Sequence, residues 1–405
     1  EHLRLEGVKS NSWVDEAFIM DGSVEETIAS LKPDIVVKGK EHELRFNPEL
    51  AALEQYSGRL LFSSGETVFS SVDLIRKEFH ESGRRTINLP LAYMERHGIQ
   101  PSRMVDLLRY FAKLRVCVIG DLIIDEYITC QPLGMSQEDP TIVVTPIDTA
   151  RFVGGAGIVA SHAAGLGASV KFISVTGDDA SGDFAQDELD AVGVKAHMLK
   201  DDNRPTTLKQ RFRSKGKSLL RVSHLHQGTI SIVLQEQMLT SIEGALKSAD
   251  LLVFSDFNYG CLPQSLVEKV VAMAKSRSVM LAADSQSSSQ VGDISRFREM
   301  DLLTPTELEA RISTRNHEDG LVVLAEQVRQ QSGARNILLK LGEEGLLLHA
   351  ADNGKDDAWL TDRVDALNAA PRDVTGAGDG LLITSALTLA SGGNIWEAGC
   401  LGSLA

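Results

Sequence analysis

The chain has 405 residues, of which 43% are hydrophobic, and it carries a formal net charge of −15. This length allows two or three domains, and the apolar content supplies a sizeable core, so the composition excludes a wholly disordered chain. A strongly acidic surface argues against nucleic acid as the main partner, because nucleic acids bind basic surfaces. It remains compatible with a small phosphorylated ligand held in a local basic pocket.

Cysteine usage and hydropathy bear on the compartment. The four cysteines are widely spaced and form no Cys-x-x-Cys pair: Cys117, Cys130, Cys261 and Cys400. They are typical of reduced thiols in a cytoplasmic protein, not of a disulfide framework or a zinc site. No apolar run reaches the roughly 18 residues of a membrane span, and no signal peptide is predicted. We therefore expect a cytoplasmic protein without a membrane partner.

Residues 1–79 form the first predicted block. Ile35–Val37 and Leu60–Phe62 have the β-branched and apolar composition of short strands, and a helix is predicted from about Ser71 to Glu78. Alternating strand and helix indicates a small α/β unit. Residues 80–113 follow as a polar linker that ends in an amphipathic helix, which begins at Pro101.

Residues 114–405 form the second predicted block. Five strand-like runs recur between helical stretches, at 116–119, 170–175, 251–254, 279–283 and 337–341. This alternation predicts an α/β fold with a largely parallel sheet and helices on both faces. In such doubly wound sheets, ligands bind beyond the C-terminal ends of the strands. Residues that directly follow a strand are therefore the first candidates for a site.

Two acids and a glycine run follow the first strand of this block. Asp121 comes directly after the strand, Asp125 lies shortly beyond it, and Gly154 and Gly155 precede a helix predicted over 159–165. Acids can bind ligand hydroxyls, and glycines let a ligand approach the backbone closely. A structural interpretation stays open for both features, because loop acids can cap an element and glycines can form a tight turn.

Basic residues are concentrated between positions 209 and 221. The six are Lys209, Arg211, Arg213, Lys215, Lys217 and Arg221. Their alternation predicts a β-hairpin with a turn at Gly216 and one basic face, which could bind a sugar phosphate. The alternative is a solvated hairpin face without a ligand.

The octapeptide at 373–380, Asp-Val-Thr-Gly-Ala-Gly-Asp-Gly, is the most informative motif. Small residues at a helix start let backbone N–H groups close on an anion, and the helix dipole favours negative charge there. Asp379 stands beside this anion hole, ahead of an apolar helix predicted over 381–390, and is placed to take a proton from an attacking hydroxyl. The motif therefore predicts phosphoryl transfer to an alcohol. The alternative is a glycine-rich turn that only caps the helix.

The motifs of the second block, in the order in which they occur along the chain, resemble those of the ribokinase-like (PfkB) sugar kinases over residues 114–405. The resemblance implies a ribokinase-like doubly wound sheet with a small β lid between Ile128 and Phe152. It implies that Asp379 is the catalytic base. The anion-hole residues that it implies are Gly376, Ala377 and Gly378, and the implied sugar-binding residues are Asp121, Asp125, Gly154 and Gly155.

The same resemblance implies ATP and Mg²⁺ as cofactors. Residues 305–309 stand where the family has Asn-x-x-Glu, and residues 341–345 resemble its nucleotide-side turn. Glu309 is expected to support the metal. The implied nucleotide-binding residues are Thr306, Glu309, Gly342, Gly345 and Thr375. The free edges of lid strands are compatible with a homodimer.

Within this family, several strings are most similar to the heptose-7-phosphate kinase half of bifunctional ADP-heptose synthases. They lie at 136–144, 205–209, 220–221, 255–257 and 303–305. This likeness implies that Lys209, Arg221 and Asp256 bind the acceptor, a sugar or sugar phosphate. Four positions depart from the pattern: Ile158 and Thr306 replace asparagines, and Tyr259 and Gln286 stand where lysines are usual.

The first block resembles the latter part of the cytidylyltransferase-like nucleotidyltransferases, which have a small Rossmann-like fold. Residues 11–16, 31–43 and 70–75 carry the likeness. It implies that Lys38 lies near nucleotide phosphates and that Ser70 and Ser71 lie near a phosphate-binding helix start. The alternative for Lys38 is a surface lysine at a strand end. The family's His-x-Gly-His is absent from the sequence and is expected upstream of residue 1, so we expect a partial domain.

We interpret the chain as a fragment, cut at both ends, of a bifunctional sugar-activating enzyme. Residue 1 is Glu rather than Met, and the last residues stop inside an apolar helical pattern. The kinase module is expected to phosphorylate a heptose 7-phosphate at its anomeric hydroxyl. Two alternatives stay open: nucleotidyl transfer to a sugar phosphate as the main activity of the longer protein, and a pseudokinase scaffold that binds ligands without turnover.

Overall fold

The structure, a computed structural model, divides into two compact units, residues 1–85 and 86–405. It describes residues 5, 16–20, 22–39, 47–63, 87–215, 217–287, 292–351, 361–368 and 374–405. The predicted helix over 71–78, Ser70, Ser71 and the predicted turn at Gly216 lie outside the described residues. No helix in the described ranges is long and apolar enough to cross a membrane.

The first unit is a small α/β arrangement. Its elements are α1 (Val24–Leu31), β1 (Ile35–Gly39), α2 (Glu49–Glu54) and β2 (Arg59–Ser63). The two strands pair in parallel, which confirms both predicted strands. Ser23 begins α1 with a capping box, in which its hydroxyl accepts from the amide of Glu26 at 3.2 Å. Ile28 and Leu53 form the centre of its small core.

The second unit contains most of the secondary structure. Its helices are α3 (Leu91–Arg96), α4 (Pro101–Phe111), α5 (Ala156–Gly165), α6 (Ala180–Ala191), α7 (Ile232–Leu246), α8 (Gln264–Ser276), α9 (Glu307–Thr314), α10 (Leu321–Ser332), α11 (Ala377–Ala390) and α12 (Ile395–Leu404). Its strands are β3 (Arg115–Gly120), β4 (Leu122–Met135), β5 (Ile142–Gly155), β6 (Ser169–Thr176), β7 (Lys195–Lys200), β8 (Leu208–Ser214), β9 (Lys217–His224), β10 (Leu251–Asp256), β11 (Met280–Ser285), β12 (Leu302–Leu303), β13 (Asn336–Lys340), β14 (Leu346–Ala350) and β15 (Thr361–Val364).

A nine-stranded sheet forms the body of this unit, in the order β15-β14-β13-β12-β11-β10-β3-β6-β7. All neighbours from β13 to β7 pair in parallel, which confirms the predicted parallel sheet. The strands β14 and β15 add an antiparallel edge that the sequence did not predict. Mixed sheets of this kind are common among doubly wound folds.

Helices cover both faces of the sheet. Along β3, Val116 and Val118 point to one core, and Cys117 and Ile119 point to the other, because side chains alternate along a strand. The helices α5, α11 and α12 pack on the first face, and α7, α8 and α10 on the second. This double burial explains why the strands are continuous apolar runs.

A separate four-stranded sheet forms the lid, in the order β5-β4-β8-β9. The β4–β5 hairpin includes the lid segment predicted over 128–152, and the predicted basic hairpin is β8–β9. The parallel pairing of β8 with β4 joins the two hairpins into one sheet. The sequence predicted a β lid between Ile128 and Phe152 and the basic hairpin, but not that the two share a sheet.

Two helices begin earlier than the apolar pattern predicted. The helix predicted over 159–165 begins at Ala156, directly after Gly155, and the one predicted over 381–390 begins at Ala377, directly after Gly376. Both preceding glycines have positive φ, at 59° and 81°, which glycine adopts at little cost. The small residues thus form the first turns of these helices, and their backbone amides lie at helix starts.

Candidate active site

Charged residues meet at the C-terminal edge of the parallel sheet. Asp121 follows β3, Asp256 ends β10, Asp284 lies in β11, and Lys340 ends β13. These strands are parallel neighbours or near neighbours, so their C-terminal ends lie at one edge. The start of α11 reaches the same edge, because Asp379 in its first turn interacts electrostatically with Asp284 and Lys340.

Asp379 is the predicted base, and its side chain is enclosed. The residue is 7% exposed, and one carboxylate oxygen accepts a hydrogen bond from the Gln286 amide at 2.9 Å. Burial raises the pKa of Asp379 to about 7, with a further contribution from the charge of Asp284, while Lys340 and Gln286 act in the opposite direction. A carboxyl group that titrates near neutral pH is suited to general-base catalysis.

The predicted anion hole is an open cradle at the start of α11. Gly376 is its N-cap with φ of 81°, and a Cβ placed there would have no described neighbour within 4 Å. A Cβ placed on Gly378 would lie 3.4 Å from Nζ of Lys340. The free amides of a helix start favour an anion, and the small residues leave room for one. Ala377, also predicted for this hole, is the first residue of the helix.

Asp284 and Lys340 form a buried ion pair beside the cradle. Nζ of Lys340 lies 2.9 and 3.1 Å from the two carboxylate oxygens of Asp284, which is 1% exposed. Burial raises the pKa of Asp284 to about 6 although the ammonium of Lys340 lowers it, and Glu309 raises it further. The nearby carboxylates of Asp284, Glu309 and Asp379 raise the pKa of Lys340 against its burial. Lys340 is therefore a cation surrounded by acids.

The lid brings its own ion pair to the site. Asp125 in β4 bonds to the guanidinium of Arg211 in β8. A Cβ on Gly154 would lie 2.5 Å from a carboxylate oxygen of Asp125, so the glycine allows the close approach of this acid. Asp125 also contributes to the raised pKa of Asp379, which indicates that lid and helix face one space. The structure thus brings Asp125 and Gly154 close to the predicted base.

Two of the acids predicted for sugar binding are engaged by the protein itself. Asp121 is 4% exposed, and its carboxylate accepts the backbone amides of Phe257, Tyr259 and Cys261 at 2.8, 3.3 and 3.2 Å. Burial, more than the nearby charge of Asp256, raises the pKa of Asp121 to about 6. This geometry favours a role for Asp121 in holding the loop after β10, and its direct contact with sugar stays a prediction.

Asp256 is engaged in the same way. It is 1% exposed, accepts the hydroxyl of Ser285 at 2.8 Å, and pairs with the guanidinium of Arg296 at 2.8 Å. Gly155 is likewise constrained by packing, since a Cβ there would lie 2.4 Å from the carbonyl oxygen of Asp121. These contacts favour a structural role for both residues over the predicted contact with the acceptor.

The two basic residues predicted for the acceptor occupy different environments. Nζ of Lys209 lies 5.5 Å from the ring centre of Phe257 and 5.2 Å from that of Tyr259, which is a cation–π arrangement. Arg221 in β9 is exposed and lies opposite Arg211 in the strand register. Lys209 is therefore held at the junction of lid and body, and Arg221 lies on the lid.

The residues predicted for the nucleotide and metal lie around β13. Glu309 is 5% exposed, and its two oxygens accept the amides of Ser287 at 2.9 Å and Thr306 at 2.8 Å. A carboxylate has about four lone-pair positions, so both oxygens can still accept from a metal-bound water. Mg²⁺ typically keeps several waters and binds few carboxylates. Across the described residues, no group of three His, Cys, Asp or Glu side chains is arranged to hold a metal.

The nucleotide-side glycines differ from each other. Gly342 has φ of 61° and space where a Cβ would be, so it leaves the backbone open to a ligand. At Gly345 a Cβ would lie 2.1 Å from the carbonyl oxygen of Val364, so packing against β15 already requires glycine there. Thr375 lies in the turn before α11. Gly345 is thus accounted for without a nucleotide.

Lys38, predicted to lie near phosphates, has protein partners in the first unit. Its ammonium lies 2.7 Å from a carboxylate oxygen of Glu49 and 3.0 Å from the amide oxygen of Asn47. Glu49 is 4% exposed, so the pair is partly buried rather than a solvated strand end. A phosphate at this position would compete with Glu49 for the lysine.

Sequence reasoning missed Asp284 and Lys340. Each is a lone charged residue at the end of an apolar strand, and no motif contains both. A usable signal existed, because the C-terminal ends of parallel strands meet at one edge of a sheet. Applying that rule to every predicted strand would have selected both residues.

Comparisons with known proteins identify the family to which the chain belongs. Residues 113–405 match the family described as pfkB family carbohydrate kinase. The chain is 30% identical over 299 residues to a bifunctional protein HldE of Desulfatibacillum aliphaticivorans, across 73% of this chain and 59% of that protein. It is 29% identical over 297 residues to the HldE of a Nitratiruptor species, across 72% and 60%. The chain thus spans less than two thirds of the length of these relatives.

Solved structures share the fold of the second unit. A ribokinase from Arabidopsis thaliana, complexed with ribose and ATP, superposes with a TM-score of 0.53 at 20% identity, covering 71% of this chain and 89% of that one. A ribokinase from Thermotoga maritima gives a TM-score of 0.55 at 20% identity, covering 72% and 90%. These matches confirm the predicted ribokinase-like fold. The match to the family model over residues 113–405 identifies the chain as a member of the pfkB family of carbohydrate kinases, phosphotransferases that act on an alcohol group.

Proposed function

We propose that this chain transfers the γ-phosphoryl group of ATP to the anomeric hydroxyl of a sugar phosphate, with D-glycero-D-manno-heptose 7-phosphate as the preferred acceptor. The observation that carries the proposal is the buried Asp379 carboxyl group beside the open cradle at the start of α11. A base and an anion site in direct contact are what an in-line transfer to a hydroxyl requires.

The proposed step begins at the carboxylate of Asp379. The carboxylate takes the proton of the acceptor hydroxyl while the hydroxyl oxygen bonds to the γ-phosphorus. The bond between that phosphorus and the bridging oxygen breaks, and its electron pair stays on the β-phosphate of ADP. The amides of Gly376, Ala377 and Gly378 stabilise the negative charge on the transferred group. Mg²⁺, when bound with ATP, neutralises phosphate charge, and Glu309 would support it through water.

The charged residues of the lid favour a phosphorylated, and therefore acidic, acceptor. Asp125 faces the base and is held by Arg211, so it can bind a sugar hydroxyl at a fixed position. Lys209, Arg213 and Arg221 add positive charge to β8 and β9, which suits a second phosphate. Closure of the lid would exclude water from the transferring group and suppress hydrolysis of ATP.

The heptose assignment rests on likeness to the HldE proteins at about 30% identity. We further propose that residues 1–79 belong to a nucleotidyltransferase domain and that the longer protein makes a nucleotide-activated sugar. Lys38, Ser70 and Ser71 are its proposed nucleotide-side residues. The parallel β1–β2 pair fits a Rossmann-like fold, although the pairing of Lys38 with Glu49 does not favour a phosphate at that lysine.

A product analysis tests the proposal. The protein is incubated with MgATP and the heptose 7-phosphate, and mass spectrometry and phosphorus NMR identify the product. We expect a heptose bisphosphate with a new anomeric phosphate and one ADP per product. A product phosphorylated elsewhere, or turnover only with other sugars, would overturn the proposed acceptor.

The pseudokinase alternative is favoured by Ile158, which is apolar where an asparagine is usual. Thr306 favours it less, because its hydroxyl accepts the Glu309 amide at 3.2 Å and caps α9, as an asparagine could. A pseudokinase would bind ATP and sugar without releasing ADP. Turnover that is lost in Asp379→Asn would exclude this alternative.

A further inference from the structure

We propose that Lys340 is a further catalytic residue, whose ammonium donates a hydrogen bond to the γ-phosphoryl group during its transfer. The proposal deepens the proposed function and rests on the use of ATP at this site, but not on the identity of the acceptor. Neither the family resemblance nor the motifs assigned a role to this lysine.

The ammonium of Lys340 lies beside the first turn of α11. A Cβ on Gly378 would lie 3.4 Å from Nζ and 3.8 Å from Cδ of Lys340, and no other described atom outside the local helix lies within 4 Å of that point. Glycine therefore keeps open a space that is bounded by the helix start on one side and by the lysine on the other. An anion held by the amides of α11 would lie within reach of Nζ.

Lys340 is fixed in place through both its backbone and its side chain. It ends β13, and its amide donates to the carbonyl of Pro305 at 2.8 Å, which ties the strand to the start of α9. Its side chain is 14% exposed and pairs with Asp284, whose side chain is 2% exposed. A charged side chain with so little freedom loses little entropy when it binds a ligand.

The ammonium of Lys340 has more hydrogen-bond donors than Asp284 can accept. An ammonium has three N–H donors, and the two oxygens of Asp284 can accept at most two of them in the observed geometry. One donor is therefore available to a phosphoryl oxygen. Asp284 acts as a positioning residue, because it orients the ammonium without reaching the phosphoryl group.

Acidic side chains surround Lys340. Four acids lie near this space: Asp125 in β4, Asp284 in β11, Glu309 in α9 and Asp379 in α11. Arg211 already pairs with Asp125, and the neutral Gln286 stands where a lysine is usual in similar kinases. An incoming triphosphate would be repelled without a local cation, and Lys340 supplies one.

In the transfer step Lys340 keeps its proton. The acceptor hydroxyl gives its proton to Asp379, the new oxygen–phosphorus bond forms, and the electron pair of the broken bond remains on ADP. The ammonium stabilises the charge on a phosphoryl oxygen throughout. The same charge also lowers the pKa of Asp379 against its burial, which keeps more of the base ionised.

The experiment compares binding of ATP with binding of ADP by calorimetry, in the presence of Mg²⁺ and without any acceptor. For Lys340→Met we expect ATP to bind roughly 10- to 100-fold more weakly, as for loss of one charge-assisted hydrogen bond. Binding of ADP should change by less than about twofold, since ADP has no γ-phosphoryl group. The matched control is Lys275→Met, which breaks an exposed ion pair with Glu299 and should alter neither ligand.

A second variant keeps the test decisive if the single variant fails to fold. Lys340→Met leaves Asp284 buried without its partner, which is destabilising, whereas Asp284→Asn combined with Lys340→Met removes both charges. The double variant should show the same selective loss of ATP affinity. Lys340→Arg should recover part of it, because a guanidinium retains the charge.

The pH profile gives an independent readout. Where an acceptor is turned over, Lys340→Met should move the acid limb of kcat to higher pH, because Asp379 then lacks the cation that favours its ionised form. The role of Lys340 would be overturned if Lys340→Met lost affinity for ATP and ADP equally. It would also be overturned if the folded double variant kept the unchanged protein's ratio of ATP affinity to ADP affinity. Failure to phosphorylate a heptose 7-phosphate would instead count against the proposed acceptor, because the binding test uses none.

Discussion

Asp379 shows how two opposing influences place a base near neutral pH. Burial raises the pKa of its carboxyl group to about 7, while the ammonium of Lys340 and the amide of Gln286 favour the ionised form. A base with a pKa near the working pH combines a useful ionised fraction with sufficient basicity. The environment of this residue is thus matched to proton transfer.

Asp379→Asn should reduce kcat by roughly 10²- to 10⁴-fold, the usual contribution of a general base. The amide has nearly the shape of the carboxyl group, so affinity for ATP should be retained. An ADP-release assay and calorimetry measure the two quantities. Asp187→Asn on the exposed face of α6 is the matched control and should leave both unchanged. Equal activity of Asp379→Asn and the unchanged protein would remove Asp379 from the mechanism.

The pH dependence of kcat should follow the ionisation of Asp379. The active form is the carboxylate, so the rate should rise as pH increases through about 7 and reach a plateau above it. The free energy of unfolding, in contrast, should decrease as the pH rises. A carboxyl group whose folded pKa lies above its usual value of 3.8 is protonated preferentially in the folded state, so its contribution to stability decreases as pH rises from about 4 to about 7.

Steady-state rates and urea unfolding across this pH range test both expectations. In Asp379→Asn the decrease in stability with rising pH should be smaller. One carboxyl group with a raised pKa is then absent, while those of Asp121 and Asp284 remain. A rate that is flat between about pH 5 and 8 in the unchanged protein would contradict the assignment of Asp379 as the titrating base.

At the scale of elements, the two helix starts combine structure with function. The apolar patterns predicted the bodies of α5 and α11, but both helices begin at small residues that have no hydrophobic signal of their own. Gly155 and Gly376 adopt positive φ at the N-caps, a conformation that only the backbone geometry reveals. The motifs predicted that these segments carry function, and the structure shows that they are first turns.

Gly155→Ala should destabilise the second unit by about 1–3 kcal/mol, the usual cost of a strained backbone position. Alanine at this position would have to adopt φ of 59°, and its Cβ would lie 2.4 Å from the carbonyl oxygen of Asp121. Gly165→Ala at the opposite end of α5 is the control, since its Cβ would have no described neighbour within 4 Å. It should be neutral or stabilising by up to about 1 kcal/mol.

Urea denaturation measures both glycine variants. The difference between their free energies of unfolding separates the cost of the backbone conformation and packing at residue 155 from the general effect of replacing a glycine by alanine. Equal unfolding free energies for Gly155→Ala and the unchanged protein would contradict the packing described at the start of α5.

At the scale of the whole molecule, the order of the strands creates the site. The alternation of strands and helices predicted a parallel sheet, and the motif at 373–380 predicted the base and the anion hole. Strand order is a matter of long-range pairing, which a local pattern does not contain, so the strand ends mark Asp284 and Lys340 as candidates but do not predict that the two form a pair. The same limit explains the unpredicted antiparallel edge formed by β14 and β15.

The sequence also did not predict which of the strand-end acids are buried. Asp121 and Asp256 stand at strand ends as ligand-binding acids do, and only their contacts with the loop after β10 and with Arg296 indicate a structural role. A strand-end acid can serve the protein or the ligand, and its partners decide which. The predicted roles of Asp125 and Glu309 stay predictions, supported by the interaction of Asp125 with Asp379 and by that of Glu309 with Asp284 and Lys340.

The most direct test of the account is ADP release from MgATP across a panel of sugars and sugar phosphates, measured in parallel for the unchanged protein and Asp379→Asn. We predict turnover that depends on a sugar phosphate, is highest with the heptose 7-phosphate, and is lost in the variant while ATP still binds. ATP binding without acceptor-dependent ADP release for any member of the panel would contradict the central claim that Asp379 and the start of α11 carry out phosphoryl transfer.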